Sequence, residues 1–311
     1  MNGKEFRTVS GQFLSALSSM GKSERTGKAY SLAFRKFESY IGDDEELTPL
    51  TFVKWRASLA DKGIKTNSIR HYMVCLHSFF TWCLKMGILK ESPLPSGEIP
   101  EEQQRTYDLL TLDEIKKLLY SDKAFTFLDQ KKAIRTKAIV VLLLQSGIRN
   151  SELRELRLGD VDFEQNRLTV RHGKGNKKRI APLPQRAKEC IEEYLNSGIR
   201  PSWCGADDYL FGTDADESGH STNGKVWSPY AITALSVIIR RYTKQMCGHS
   251  VKAHALRHAA TSYWVELGVP IRKVQEALGH ASIRTTEKVY THVLNVSGAA
   301  DDIVKAFDEA V

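Results

Sequence analysis

In SERTGKAYSLAFRKFESYIG (23–42), Tyr30, Phe34, Phe37 and Ile41 recur every three or four positions. That spacing lines apolar side chains along one face of an α-helix. Ser23 stands where an N-cap hydroxyl is wanted. TPLTFVKWRASLADKG predicts a second helix, with Thr48 and Pro49 at its start and Gly63 at its stop. KTNSIRHYMVCLHSFFTWCLKMG predicts a third, ending near Gly87, and residues 4–20 offer a fourth. Residues 1–92 therefore read as an all-helical domain. Its polar faces carry Arg25, Lys28, Arg35, Lys54, Arg56, Lys65 and Arg70, a basic surface that can grip a DNA backbone or simply face solvent.

Periodicity then stops. KESPLPSGEIPEEQQ holds Pro93, Pro95, Pro100 and Gly97, and residues 93–106 read as a linker. The second domain, 107–311, opens on TLDE, a capping box of Thr111 and Glu114. KKAIRTKAIVVLLLQSG predicts a buried helix stopped by Gly147. The period changes at RLTVR and KRIAPL, two short strands joined by a turn rich in glycine and lysine. Helices are expected over 185–196, about 229–247, 254–267 and 270–278. DDIVKAFDEAV predicts a last amphipathic helix with Ile303, Val304 and Phe307 on one face. The fold class is mainly α with a small β-sheet.

Composition narrows the setting. A chain of 311 residues favours two domains, and 41% hydrophobic with 26% charged residues is ordinary for a globular protein. No apolar run is long enough to span a bilayer, and MNGKEFRTVSGQF has no secretory apolar block. Cys75, Cys83, Cys190, Cys204 and Cys247 form no CxxC pair. They read as small buried thiols in a reducing, cytoplasmic setting. A net charge of +8 suits a polyanionic partner, although a merely basic protein would show it too.

Candidate chemistry lies in the second domain. HALRH places His254 and His258 four apart around Arg257. Histidines at that spacing can share a metal. Here no glutamate follows the first one, Arg257 would repel a cation, and no third ligand is near in sequence. Anion handling fits better, because a guanidinium offers two parallel donors to phosphate oxygens. His254, one turn away, can move a proton at the same point, and His258 can serve as a core histidine. QSGIRNSELREL puts Arg149 just after a helix stop, with Asn150 as a candidate cap and Glu152 in the next helix's first turn. VRHGKGNKKRIAPLP sets Lys174 at a hairpin tip between Gly173 and Gly175. It is not a phosphate-binding P-loop, which needs GxxxxGK[ST] between strand and helix. LGHASIRTTEKVYTHV supplies His280 and Tyr290. A tyrosine hydroxyl, with an ordinary pKa of about 10, becomes a useful nucleophile only where cations gather round its target.

Each box alone is weak. Taken in order, GIRxSEL with Arg149, the GKGNK hairpin with Lys174, HxLRH, LGH and YTHV resemble the tyrosine recombinases, or phage integrase family. Residues 23–88 are similar to that family's helical, SAM-like core-binding domain, and the rest to its α+β catalytic domain. The resemblance implies that Tyr290 attacks a scissile phosphate to give a 3′-phosphotyrosyl link. It implies that Arg149 and Arg257 hold the non-bridging oxygens and that Lys174 protonates the leaving 5′-oxygen. His254 would assist proton transfer, His280 would be a third phosphate-binding group, and Glu152 would support the site. No metal or other cofactor is called for, since positioning and charge stabilisation carry phosphoryl transfer.

Two details narrow the resemblance. The stretch from the LGH histidine to the tyrosine is one residue longer than in several relatives. No arm-binding domain precedes the helical segment, which points to a two-domain, Xer-like protein. Implied partners are double-stranded DNA bearing short inverted-repeat core sites and further copies of the chain. A tetramer would exchange strands through a Holliday junction, with the C-terminal helix docked on a neighbour. The outcome could be integration, excision, inversion or dimer resolution. A type IB topoisomerase-like activity and a catalytically inactive DNA-binding protein remain as alternatives.

Overall fold

The computed structural model describes residues 1–103, 110–121, 130–171, 178–214 and 226–279. The chain divides into two compact units, Met1–Thr106 and Tyr107–Val311.

The first unit is built from α1 (Gly3–Ser19), α2 (Glu24–Glu38), α3 (Pro49–Asp61) and α4 (Thr66–Lys85). Local chemistry sets the ends. The Ser23 hydroxyl accepts the Thr26 N–H, and Pro49 opens α3, where its missing N–H costs nothing. Gly63 and Gly87 follow α3 and α4 with φ of +72° and +69°, left-handed turns that suit glycine. The core is aromatic. The Phe6 ring meets Phe34, Phe37 and Phe79 edge-on at 5.7, 5.2 and 5.1 Å, the geometry that ring quadrupoles favour.

The stretch expected as a linker is fastened to this unit. Leu94 is buried in its core. Arg56 donates to the Glu98 carbonyl at 2.8 Å and pairs with its carboxylate at 3.1 Å. Asn67 exchanges two hydrogen bonds with the Gln103 backbone. Arg56 is thus engaged within the unit, and Lys28 pairs with Glu24 at 2.7 Å. Arg25, Arg35, Lys54 and Lys65 stay exposed.

The second unit contains α5 (Leu112–Tyr120), α6 (Gln130–Ser146), α7 (Asn150–Glu155), α8 (Gln185–Asn196), α9 (Ile232–Cys247), α10 (Ala253–Glu266) and α11 (Ile271–Leu278). Strands β1 (Val161–Asp162), β2 (Arg167–Val170) and β3 (Arg179–Pro182) form an antiparallel sheet in that order. A second small sheet pairs β4 (Gly212–Thr213) with β5 (Ser228–Pro229). Thr111 and Glu114 form the expected capping box at α5. Helix α6 is central: Ala138 to Leu144 are buried without a polar break, so the helix is enclosed all round. It packs on both α8 and α10.

Two sequence expectations need correction. The sheet has a third strand, β1, which two residues are too short to announce. Asn150 does not cap α7; Arg149 occupies the N-cap position, and the Glu152 carboxylate accepts its backbone N–H at 2.7 Å. Among the described residues no helix is long and apolar enough to cross a membrane. The last predicted helix, 301–311, lies outside the described residues.

Candidate active site

Five chain segments meet around one carboxylate. Helix α6 ends at Gly147, whose φ is +62°. A side chain there would strike Leu278 at 2.9 Å and Trp264 at 3.0 Å, so glycine is needed both for the turn and for the close approach of α10 and α11. The chain then turns through Arg149 into α7. One turn further, Glu152 points inward with only 2% of its side chain exposed. Strand β3 delivers Arg179, α10 delivers Arg257, and α11 ends at Gly279 with φ of +63°.

Glu152 is the hub. Its Oε1 accepts from Arg149 Nη1 at 2.6 Å, and its Oε2 accepts from Arg179 Nη2 at 2.8 Å. Arg257 Nη1 lies 3.9 Å from Oε2. Three guanidiniums around one carboxylate leave an excess of two positive charges, an arrangement suited to an anion. Burial pushes the Glu152 carboxyl upward. The Arg149 N–H and the charges of Arg179 and Arg149 outweigh it and hold the group below the usual carboxylate range.

Arg257 is almost fully enclosed. Its Nη1 donates to the Gly147 carbonyl and its Nη2 to the Leu278 carbonyl, both at 2.6 Å. These carbonyls terminate α6 and α11, where the helix dipole is negative and a cation is welcome. Burial, then the nearby charge of Arg149, lowers its pKa to about 9, against the pull of Glu152. It remains charged at neutral pH. Arg149 Nη2 approaches the Gly279 carbonyl at 3.4 Å. The carbonyls of the turn that ends α11 therefore accept from two of the three arginines, directly before His280 in the chain.

His254 is exposed at the start of α10, and its ring meets that of buried His258 edge-on at 4.4 Å. The structure thus brings together Arg149, Arg257 and Glu152 of the predicted residues and sets His254 on the same helix as Arg257. Lys174, His280 and Tyr290 lie outside the described residues. Among the described residues no cluster of His, Cys, Asp or Glu is arranged to hold a metal ion.

Arg179 was missed. The sequence treated KRIAPL only as a strand, yet its alternation is inverted. Arg179 and buried Ala181 share the inward face, while Ile180 is 49% exposed. An inward arginine beside an outward isoleucine is the signal that could have revealed it.

Comparison with known proteins places this geometry. The Phage integrase family model matches residues 108–296. The tyrosine recombinase XerA of Pyrococcus furiosus is 32% identical over 284 residues, covering 91% of this chain and 88% of that protein. Among solved structures, the Tn1549 transposon integrase in complex with transposon right end DNA is similar with a TM-score of 0.69 and 17% identity, covering 97% of this chain and 99% of that one. A lambda integrase tetramer bound to a Holliday junction is similar with a TM-score of 0.67 and 16% identity, covering 91% and 76%. At those identities the structural likenesses bear on the fold.

Proposed function

The chain belongs to the phage integrase family, and on that premise we propose that it is a site-specific tyrosine recombinase that cuts and rejoins double-stranded DNA through a phosphotyrosyl intermediate on Tyr290. Arg149 and Arg257 take the non-bridging oxygens of the scissile phosphate. The Tyr290 oxygen forms a bond to phosphorus as the bond to the 5′-oxygen breaks. Lys174 gives the leaving oxygen its proton, and His254 receives the one lost by tyrosine. His280 adds a third donor to the phosphate. A phosphodiester bond is exchanged for a phosphotyrosyl bond of the same order, so the 5′-hydroxyl of another strand can reverse the step without nucleotide fuel.

One observation carries this reading: two predicted phosphate-binding arginines, far apart in sequence, converge on buried Glu152 with positive charge in excess. Such donors, fixed before the reaction, stabilise a charged transition state without reorganisation at the moment of chemistry. The exposed basic residues of the first unit, Arg25, Arg35, Lys54 and Lys65, suit contact with the duplex backbone. Residues 301–311 then serve to link neighbouring protomers in a tetramer; lambda integrase, similar in fold, is a tetramer where it is bound to a Holliday junction.

Incubating the protein with two DNA duplexes carrying its core site tests the proposal. Recombinant duplexes and a four-way junction are expected. Plasmid relaxation without exchange would point to topoisomerase-like action, and binding alone would make this a non-catalytic DNA-binding protein; either would overturn the reading.

A further inference from the structure

We propose that Arg179 is a positioning residue for DNA cleavage, holding Glu152 and the Gly279 turn so that Arg149 and Arg257 stay aligned on the phosphate; this rests on the cleavage reading above. Arg179 touches both anchors of the arginine pair. Its Nη2 holds Glu152 Oε2 at 2.8 Å, the same carboxylate that fixes Arg149. Its stem runs beside Gly279, where an added Cβ would lie 2.7 Å from Arg179 Cδ and 2.8 Å from its Nε. That turn presents the Leu278 carbonyl to Arg257 and the Gly279 carbonyl to Arg149. One side chain therefore braces the carboxylate from one side and the turn from the other.

Pairing with Glu152 does not by itself account for this arginine. Its side chain is nine-tenths buried, and its Nε and Nη1 have no hydrogen-bond partner among the described residues. Buried donors left unpaired are costly. Arg179 also lies near two other guanidiniums, and Glu152 answers only part of that charge. Apolar residues in place of the whole Arg179–Glu152 pair would fill the same space at no greater cost. Strand β3 instead turns the arginine inward and leaves Ile180 in solvent. A residue that folding alone would not choose, set between the two supports of the phosphate-binding pair, is explained by alignment.

The test measures single-turnover covalent adduct formation on a nicked core-site duplex. The scissile link is either an ordinary phosphodiester or a methylphosphonate, which carries no negative charge for arginines to meet. Parent protein, Arg179→Ala, Arg179→Lys, Arg149→Ala and Tyr290→Phe are compared, with DNA affinity and thermal unfolding followed alongside. Arg179→Ala is expected to slow cleavage of the phosphodiester by about 10- to 100-fold, the scale of a misplaced catalytic group, with DNA affinity nearly unchanged. The deficit should shrink on the methylphosphonate, as it should for Arg149→Ala, and Arg179→Lys should recover part of the rate. If Arg179→Ala cleaves the phosphodiester at the parent rate, or loses equally on both substrates, the assignment is overturned. Should Arg179→Ala fail to fold, the Arg179→Lys rates on the two substrates make the same comparison. Adduct from Tyr290→Phe would instead break the cleavage reading itself, a result distinguishable from any failure of Arg179.

Discussion

Phe79 and Glu152 are both almost fully enclosed, yet burial means different things for them. In the first unit the enclosed large side chains are rings and aliphatics, and the buried polar residues identified there, Ser10 and Thr51, are neutral. Burying such surface is favourable in itself. The second unit encloses Glu152, Asp160, Arg200 and Arg257 as well, and each buried charge needs partners to exist at all. Arg200 finds the carbonyls of Cys204 and Gly205 and braces a loop. Asp160 pairs with Arg171 at 2.6 Å. Around Glu152, three guanidiniums gather on a single carboxylate. Buried charge as such does not mark a site; unbalanced buried charge at converging chain ends does.

That contrast can be broken by substitution. Phe79→Ala should cost the first unit about 3–5 kcal/mol, the usual toll of a large-to-small change in a core, visible as a lower denaturation midpoint. DNA cleavage per correctly folded molecule should be unaffected. Arg149→Ala should do the reverse: cleavage falls by about 3–4 kcal/mol of transition-state stabilisation, as on losing an oxyanion donor, while the unfolding midpoint moves less than for Phe79→Ala, because Arg179 and Arg257 still face Glu152. Equal effects of both variants on both readouts would erase the distinction.

Gly147→Ala should destabilise the second unit by about 1–3 kcal/mol, since a Cβ is strained at positive φ and here meets Leu278 and Trp264. Cleavage should fall with it, because the Gly147 carbonyl holds Arg257. Glu152 contributes a pH dependence. Its folded pKa is depressed, so the stability it contributes is complete above the ordinary glutamate value of about 4.3 and is lost as pH falls through the lowered one. Acid titration of Glu152→Gln should show a shallower loss over that window. The smallest effect belongs to Thr111→Ala, which removes one cap hydrogen bond of α5 and should cost about 1 kcal/mol.

Much of this was legible in the sequence because helix boundaries are written locally. Ser23, Thr48 with Pro49, Thr111 with Glu114, and Gly147 each act within one turn of where they stand. Arg149, Arg257 and Glu152 were legible through motif order. What escaped depends on contacts distant in sequence. Leu94 looked like linker because its partners lie in earlier helices, and Arg56 read only as part of a basic surface, facing DNA or solvent, because Glu98 is far along the chain. Arg179 looked like an ordinary strand residue because Glu152 and Gly279 are brought to it only by folding.

The most direct measurement maps the covalent bond. Protein trapped on a nicked duplex is digested, and the peptide bearing a deoxynucleoside 3′-phosphate is sequenced by mass spectrometry. The account predicts the adduct on Tyr290 and its absence in Tyr290→Phe. An adduct on any other residue, or its survival in that variant, would contradict it.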